Sequence, residues 1–315
     1  MFCIYQRKLK LIIMQTVLGA GGVIGKELAV RLRQYTDKVR LAGRNPKHVT
    51  GDEELVKCDL TDRELVIDAV DNSEVVYLTA GLKYNYNIWK DEWPKIIDNV
   101  IEACKTGNSK LVFFDNVYLY GRADGWMTEN TPANPVSKKG EIRAGISERI
   151  LSESASGNIK ALIARSADFY GPDAGNSLLK MFVFDKLKEK KTASWFGNDD
   201  VFHSFTYTPD AGKATALLGN TPDAYNQVWH LPTHKSAMTG QEYIEFAADK
   251  LNTKPKYRVI KKWMTRLAGL IDPLAAETVE MMYQYENDYL FDSTKFENKF
   301  FTPVTYSEGI SECLK

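Results

Sequence analysis

Three cations stand in the first turns of a helical pattern: Lys138, Lys139 and Arg143 in "NPVSKKGEIRAGISERIL", residues 134–151. Ile142, Ile146, Ile150 and Leu151 recur at helical spacing, with Pro135 and Ser137 as a start signal. A helix N-terminus favours anions, so each cation there costs about 0.3 kcal/mol or more. Either that face is solvated, or something anionic or electron-rich lies beside it. Lys139 and Arg143 are one turn apart and share a face. A lysine beside a second cation and partly desolvated binds its proton less tightly, which suits it to general acid chemistry near neutrality.

A second stretch points to phosphate. "LGAGGVIG", residues 18–25, places Gly19, Gly22 and Gly25 at G-x-x-G-x-x-G spacing. It leaves an apolar strand and enters a helix carrying Ile24, Leu28 and Leu32. Glycines there allow a tight turn and close backbone approach to a pyrophosphate at the helix N-terminus, with Val23 and Ile24 in the first turn.

The elements that must position these residues alternate along the first half. Strand-type runs lie at 14–20, 39–43, 54–60, 74–81, 110–116 and 160–171. Helical patterns lie between them, at "VIGKELAVRLRQY", "RELVIDAV", "WPKIIDNVIEAC" and the basic helix. Apolar strands alternating with helices predict a doubly wound α/β domain, a parallel sheet covered on both faces. Residues 1–172 form this domain, with its sheet completed by parts of 201–232. Residues 173–315 form a smaller, mostly helical substrate lobe, interleaved with the first. There "NSLLKMFVFDKLKEKK" and the stretch 262–288 read as helical, "VFHSFTY" and "QVWHLP" as strands, and "TYSE" at 305–308 as a capping box. Trp89, Trp93, Trp195 and Trp263 read as packing residues, and His203 as a satisfied structural histidine in preference to a residue lining the substrate cleft.

With these motifs in register, residues 14–250 resemble the extended, epimerase/dehydratase-like branch of the short-chain dehydrogenase/reductase superfamily. The glycine spacing, Asp59 in "KCDLTD", "TAG" at 79–81, "YG" at 120–121, "YGP" at 170–172 and "HSFTYTPDAGKA" at 203–214 carry the resemblance. It implies a Rossmann-type sheet holding NAD(P), with a C-terminal lobe over the substrate. Asp59, followed by Leu60, would bond the adenine, and Thr79, Ala80 and Gly81 would line the ribose and nicotinamide half. Asp59 read alone could also be a turn or cap residue.

The acid that takes the ribose 2′-OH in NAD-binding relatives is absent at the end of the second strand, where "VRLAGRNPKH" offers Arg44. A guanidinium suits a 2′-phosphate, with Lys47 and His48 adding to the patch, so the expectation is NADP in preference to NAD. Members of the superfamily use a Ser or Thr after the fifth strand and a Tyr-x-x-x-Lys pair on the next long helix. Here Asn116 falls at the first position, Lys139 at the tyrosine and Arg143 at the lysine. The phenol is missing from its place. Arg143 can still bond a ribose, Asn116 can still donate to a carbonyl oxygen, and Lys139 or Tyr118, two residues beyond Asn116 on the same strand face, could handle the proton. Tyr84 and Tyr86, in the loop after the fourth strand, are further candidates. The expected function is an NADP(H)-dependent oxidoreductase acting on a carbonyl or hydroxyl substrate such as a nucleotide sugar, the alternative being an NADP(H)-binding redox sensor without chemistry.

The totals narrow the partners. Lys plus Arg equals Asp plus Glu at 41 each, which gives no general argument for a nucleic-acid or membrane partner. Four scattered cysteines and four dispersed histidines offer no metal-ligand spacing and suggest reduced thiols in a cytoplasmic protein. No apolar run is long enough for a transmembrane helix. "YQRKLKLIIM" has the basic-then-apolar order of a signal peptide, but its apolar run is short and continues into the first strand; Met14 could be the functional start. A small-molecule substrate and a second copy of the chain remain as expected partners.

Overall fold

The computed structural model describes residues 13–315; the basic stretch before Leu11 lies outside them. In chain order the first half runs β1 (Met14–Leu18), α1 (Val23–Leu32), β2 (Lys38–Gly43), β3 (Glu54–Lys57), α2 (Arg63–Val70), β4 (Ser73–Leu78), α3 (Tyr86–Thr106) and β5 (Lys110–Asp115). It continues through β6 (Trp126–Met127), α4 (Lys138–Ala155), β7 (Ala161–Arg165) and β8 (Asp168–Tyr170). The second half holds α5 (Asp185–Lys188), β9 (Ala193–Phe196), β10 (Phe202–His203), β11 (Phe205–Tyr207), α6 (Thr208–Gly219), β12 (Val228–His230) and β13 (Met238–Thr239). Then come α7 (Gly240–Lys250), β14 (Tyr257–Ile260), α8 (Lys262–Ala268), α9 (Pro273–Val279), β15 (Leu290–Phe291), α10 (Thr294–Glu297) and α11 (Tyr306–Leu314).

Seven parallel strands form the main sheet in the order β12-β7-β5-β4-β1-β2-β3. Strands such as β7, buried at all five positions, need cover on both faces, and they get it. Trp93, Ile96, Ile97 and Val100 of α3 join Ile146 and Ile150 of α4 on one face. On the other, Ile24, Leu28 and Leu32 of α1 meet Ala211, Ala214 and Leu218 of α6. Each fully buried Leu or Ile among them contributes about 1.5–3 kcal/mol. This is a Rossmann-type sheet with a smaller, mostly helical C-terminal region. That region has its own core, in which Tyr170, Phe184, Trp195, Tyr243, Ile244 and Ile310 pack together. The "TYSE" capping box is present at the start of α11, and a second one, Thr239 with Glu242, starts α7.

Several elements depart from expectation, each for a local reason. The run 160–171 is two strands. β7 stays in the main sheet while β8 leaves it to pair with β11, and Ala167 N–H turns to the Thr206 hydroxyl at 3.2 Å. α3 begins eight residues before Pro94, because Asn85 Oδ1 accepts the Ile88 N–H at 3.1 Å and caps it at Tyr86. Tyr86 is therefore helical rather than in a loop. The segment 176–191 opens as a π-helical stretch, Leu179–Phe184, before α5. The stretch 262–288 breaks at Asp272, whose carboxylate caps α9 next to Pro273, and ends in a 3-10 turn, Met282–Tyr285. β5 stops at Asp115, so Tyr118 does not share a strand face with Asn116 but starts a 3-10 turn, Tyr118–Tyr120. Trp263 does not pack; it is 61% exposed on α8.

Candidate functional site

The predicted site residues fall into two groups. The first lines a cavity of about 520 Å3 at the C-terminal edge of the sheet, walled by Gly19, Gly21, Gly22, Arg44, Asp59, Leu60, Ala80 and Gly81. Gly19 has φ +86°, and a Cβ there would lie 2.5 Å from Ala80 Cα, so the turn out of β1 demands glycine. Gly22 caps α1 with an ordinary φ of −79°; a Cβ on it would meet only Gly19 O, at 3.9 Å. Gly21 and Gly81 likewise have open space where a Cβ would be. Side chains are thus excluded from one wall of the cavity without any protein atom requiring it, and the free N–H groups at the start of α1 stand at that wall.

The remaining cofactor candidates support this wall from behind. Ile24 is buried in the core under α1, and Val23 packs against the same cluster. A Cβ on Gly25 would lie 2.8 Å from Ala20 Cα, so the helix seats closely on the loop. Thr79 N–H donates to Leu18 O at 2.9 Å and the Thr79 hydroxyl to the same oxygen at 3.3 Å, tying the end of β4 to the glycine loop. Asp59 Oδ1 accepts from both the N–H and the hydroxyl of Thr61, at 3.0 and 2.8 Å. Those bonds, and the Arg44 cation facing it, hold its carboxyl below the usual range. Asp59 therefore serves the turn and lines the cavity at once.

Sequence reasoning missed part of this wall. Asn45, Pro46, Thr61, Leu82, Glu92, Ile96 and Asn176 also line it. Glu92 and Ile96 are one turn apart on α3, so helical periodicity could have placed them together. Asn176 comes from the turn after β8, where the sequence carries no comparable signal.

The second group does not line that cavity. Asn116 Oδ1 accepts the Tyr118 N–H at 3.0 Å, fixing the 3-10 turn and leaving its amide N–H groups as donors. Lys139 is fully buried, and all three of its donors are engaged: Glu277 Oε2, Glu277 O at 3.3 Å and Glu280 Oε1 at 2.7 Å. The same two carboxylates accept the backbone N–H groups of Tyr86 and Lys138, at 3.0 Å each. The anions that answer the cations at the start of α4 are the chain's own. Burial works to raise the Glu277 carboxyl, but the Lys139 ammonium and the Tyr86 N–H outweigh it and hold it below its ordinary value.

Arg143 is buried, its guanidinium 4.9 Å from the Trp89 ring and 4.2 Å from the Trp93 ring. Its Nη1 lies 3.4 Å from Asp115 Oδ1, while its Nε and Nη1 make no hydrogen bond among the described residues. Asp115 also takes Arg165, with Nη2 at 3.1 Å, so two guanidiniums share one carboxylate. Tyr118 stacks on Trp89 at 6.2 Å and 15°, and Tyr84 meets the same indole edge-on at 5.9 Å. Beside them Asp168 accepts from the Tyr285 hydroxyl and pairs with His203 Nε2 at 3.1 Å. His203 is fully buried and sandwiched between Tyr285 and Tyr289, at 4.7 and 4.2 Å.

Residues 15–230 match the NAD dependent epimerase/dehydratase family, and the chain belongs to it. Among solved structures it is similar to the UDP-glucose 4-epimerase of Thermus thermophilus in complex with NAD, at 17% identity and a TM-score of 0.77 over 96% of this chain and 98% of that one. It is similar also to the dTDP-glucose 4,6-dehydratase of Bacillus anthracis in complex with NAD (17%, TM-score 0.80, 96% and 95% covered). The dTDP-glucose 4,6-dehydratase of Streptomyces venezuelae with NAD bound gives 16%, a TM-score of 0.79, and 95% of each chain. No curated protein matches the sequence.

The expectation of NADP, and with it of an NADP(H)-dependent oxidoreductase or NADP(H) sensor, is corrected by these findings: the family is NAD dependent, and the three similar structures hold NAD. The geometry supplies the reason the patch misled. Of its three cations only Arg44 lines the cavity, and it faces the Asp59 carboxylate rather than standing alone. Lys47 lies outside the lining, and His48 turns to Glu53, Nδ1 to Oε2 at 3.3 Å. A 2′-phosphate, which carries extra negative charge, would meet a nearly balanced site.

Proposed function

We propose that the protein binds NAD and uses it as an oxidoreductase of the epimerase/dehydratase type, on a nucleotide-sugar-like substrate. The observation that carries this is the cavity at the glycine loop: open space at Gly21, Gly22 and Gly81, with helix N–H donors at its wall and the Asp59 carboxylate in its lining. Those features fit a dinucleotide. Asp59 and Leu60 would hold the adenine, the turn at Gly22 the pyrophosphate, and Ala80 and Gly81 the half that carries the nicotinamide. The cofactor, when bound, supplies reversible two-electron transfer at a carbon bearing oxygen. The chain's own part is to orient that oxygen and move its proton, with Asn116 as the donor nearest the end of β5. Among the described residues no helix is long and apolar enough to cross a membrane. Titration calorimetry with NAD, followed by absorbance at 340 nm with UDP-glucose and dTDP-glucose as probes, tests the reading. Micromolar NAD binding supports it; a folded chain that fails to bind NAD overturns it.

A further inference from the structure

The resemblance puts Lys139 where relatives of this kind carry a tyrosine, and no N–H of its ammonium is left to point at a substrate. Three donors meet three acceptors on Glu277 and Glu280, and the side chain is fully buried. We propose that the proton-transfer group of this site is Tyr118, supplied by the 3-10 turn after β5, with Tyr84 behind it and Arg143 as the cation that stabilises its phenolate. The proposal rests on the NAD-dependent reading given above.

Three features of the geometry support it. Trp89 gathers all three groups: Tyr118 stacks on its face, Tyr84 lies at its edge, and the Arg143 guanidinium sits 4.9 Å from its ring. Tyr118 is held by its own backbone, since Asn116 Oδ1 takes its N–H, and it remains partly exposed. Arg143 shares the single Asp115 carboxylate with Arg165, and among the described residues its Nε and Nη1 have no hydrogen-bond partner, so this guanidinium keeps donors free within the same cluster.

The groups that face Tyr118 act in both directions. Burial, then the Asp168 carboxylate, push its hydroxyl above the ordinary tyrosine value, with Glu280 adding to them. Interaction with the Tyr84 hydroxyl and the Arg143 charge pull it back. Tyr84 is raised by its own burial and by the Tyr118 hydroxyl. The resting state is neutral, which makes Tyr118 a donor. In the reductive direction Tyr118 would give its proton to the oxygen of a substrate carbonyl as C=O becomes CH–OH, bound NAD supplying in its reduced form the two electrons and the other hydrogen. Solvent then refills Tyr118, which is partly exposed. In oxidation Tyr118 would take that proton back, and the bound cofactor would accept the two electrons.

The test replaces Tyr118 in the full chain with 3,5-difluorotyrosine and follows its ionisation by fluorine NMR. Arg143→Met is expected to raise that pKa by about one unit or more, and the milder Tyr84→Phe by a smaller step. Tyr86→Phe, on the neighbouring helix, should leave it in place. No shift in a folded Tyr84→Phe variant and none in Arg143→Met overturns the proposal, and either variant alone decides it if the other fails to fold. In the NAD-loaded chain turning over UDP-glucose or dTDP-glucose, Tyr118→Phe should lower kcat about 100-fold or more with an unchanged NAD Kd. An unchanged kcat overturns it. Absence of NAD binding to the unmodified chain would instead sink the NAD reading and leave the fluorine titration to judge the tyrosine pair.

Discussion

Replacing Gly22 with valine should abolish NAD binding while leaving the fold intact. At this position the backbone has φ −79° and ψ 164°, which valine adopts readily, and a Cβ meets nothing nearer than Gly19 O at 3.9 Å. The change should therefore move stability by only about 0.5 kcal/mol. The two added methyl groups project into the cavity at the N-terminus of α1, where a pyrophosphate must approach the backbone. Losing two charge-assisted hydrogen bonds at about 1.5–3 kcal/mol each removes about 3–6 kcal/mol of binding. At about 1.4 kcal/mol per tenfold, that is about 100-fold or more in Kd. Gly19→Val makes the contrast. There φ is +86° and the Cβ lands 2.5 Å from Ala80 Cα, so the strain and overlap should cost about 3 kcal/mol or more of stability. Titration calorimetry with NAD and thermal unfolding on the same samples read both quantities. A folded Gly22→Val variant that binds NAD within about threefold of the parent refutes the assignment of this loop to the pyrophosphate.

Cofactor choice is a second test: NAD should bind several-fold tighter than NADP by calorimetry, since Arg44 faces Asp59 and neither Lys47 nor His48 reaches the cavity. Acid stability is a third. Glu53 is lowered from 4.5 to about 2: burial opposes ionisation, but the N–H groups and hydroxyl of the 50–51 turn outweigh it. A depressed carboxyl stabilises the fold above its unfolded pKa and loses that contribution as pH falls through the folded one. About 3 kcal/mol should therefore vanish between pH 4.5 and 2, and Glu53→Gln should flatten this limb in urea titrations at several pH values. A fourth concerns the buried ion pairs on α4. Lys139→Met leaves Glu277 and Glu280 without their shared cation and should cost about 3 kcal/mol at pH 7. Lowering the pH toward 4.5 should recover part of this loss in the variant, while the parent begins to lose stability as the depressed Glu277 protonates. Parallel pH profiles for the two proteins would show that the ion pairs are not what holds this corner.

The main architecture was legible because it rests on patterns that run along the chain. Alternating apolar strands and amphipathic helices specify a doubly wound sheet, and the glycine turn with Asp59 specifies where its cavity opens. The boundaries set by side-chain capping were harder to see. Asn85 starts α3 eight residues ahead of Pro94, and Asp272 with Pro273 divides what reads as one helix. The catalytic corner was least legible, because its pairings cross the chain. Nothing near Lys139 in sequence says that Glu277 and Glu280 will meet it, or that Arg143 will lie on Trp89. Arg44 shows the same limit: its residue type suggested a phosphate, and only its spatial neighbour Asp59 shows the site to be balanced.

The position of β12 bears on how the protein is made. This last strand of the main sheet pairs in parallel with β7, yet Val228 follows Arg165 only after the whole of β8 to α6 has been synthesised. At roughly 5–20 residues per second, β7 waits several seconds on the ribosome for its neighbour. Throughout that interval Ala161–Arg165, apolar at four of five positions, presents a free strand edge. The buried bond between the Tyr120 hydroxyl and His230 Nε2, at 2.8 Å, can close only when the wait is over. A nascent chain stalled short of residue 230 is therefore a natural client for holding chaperones, and one released there carries an edge ready to pair with another chain.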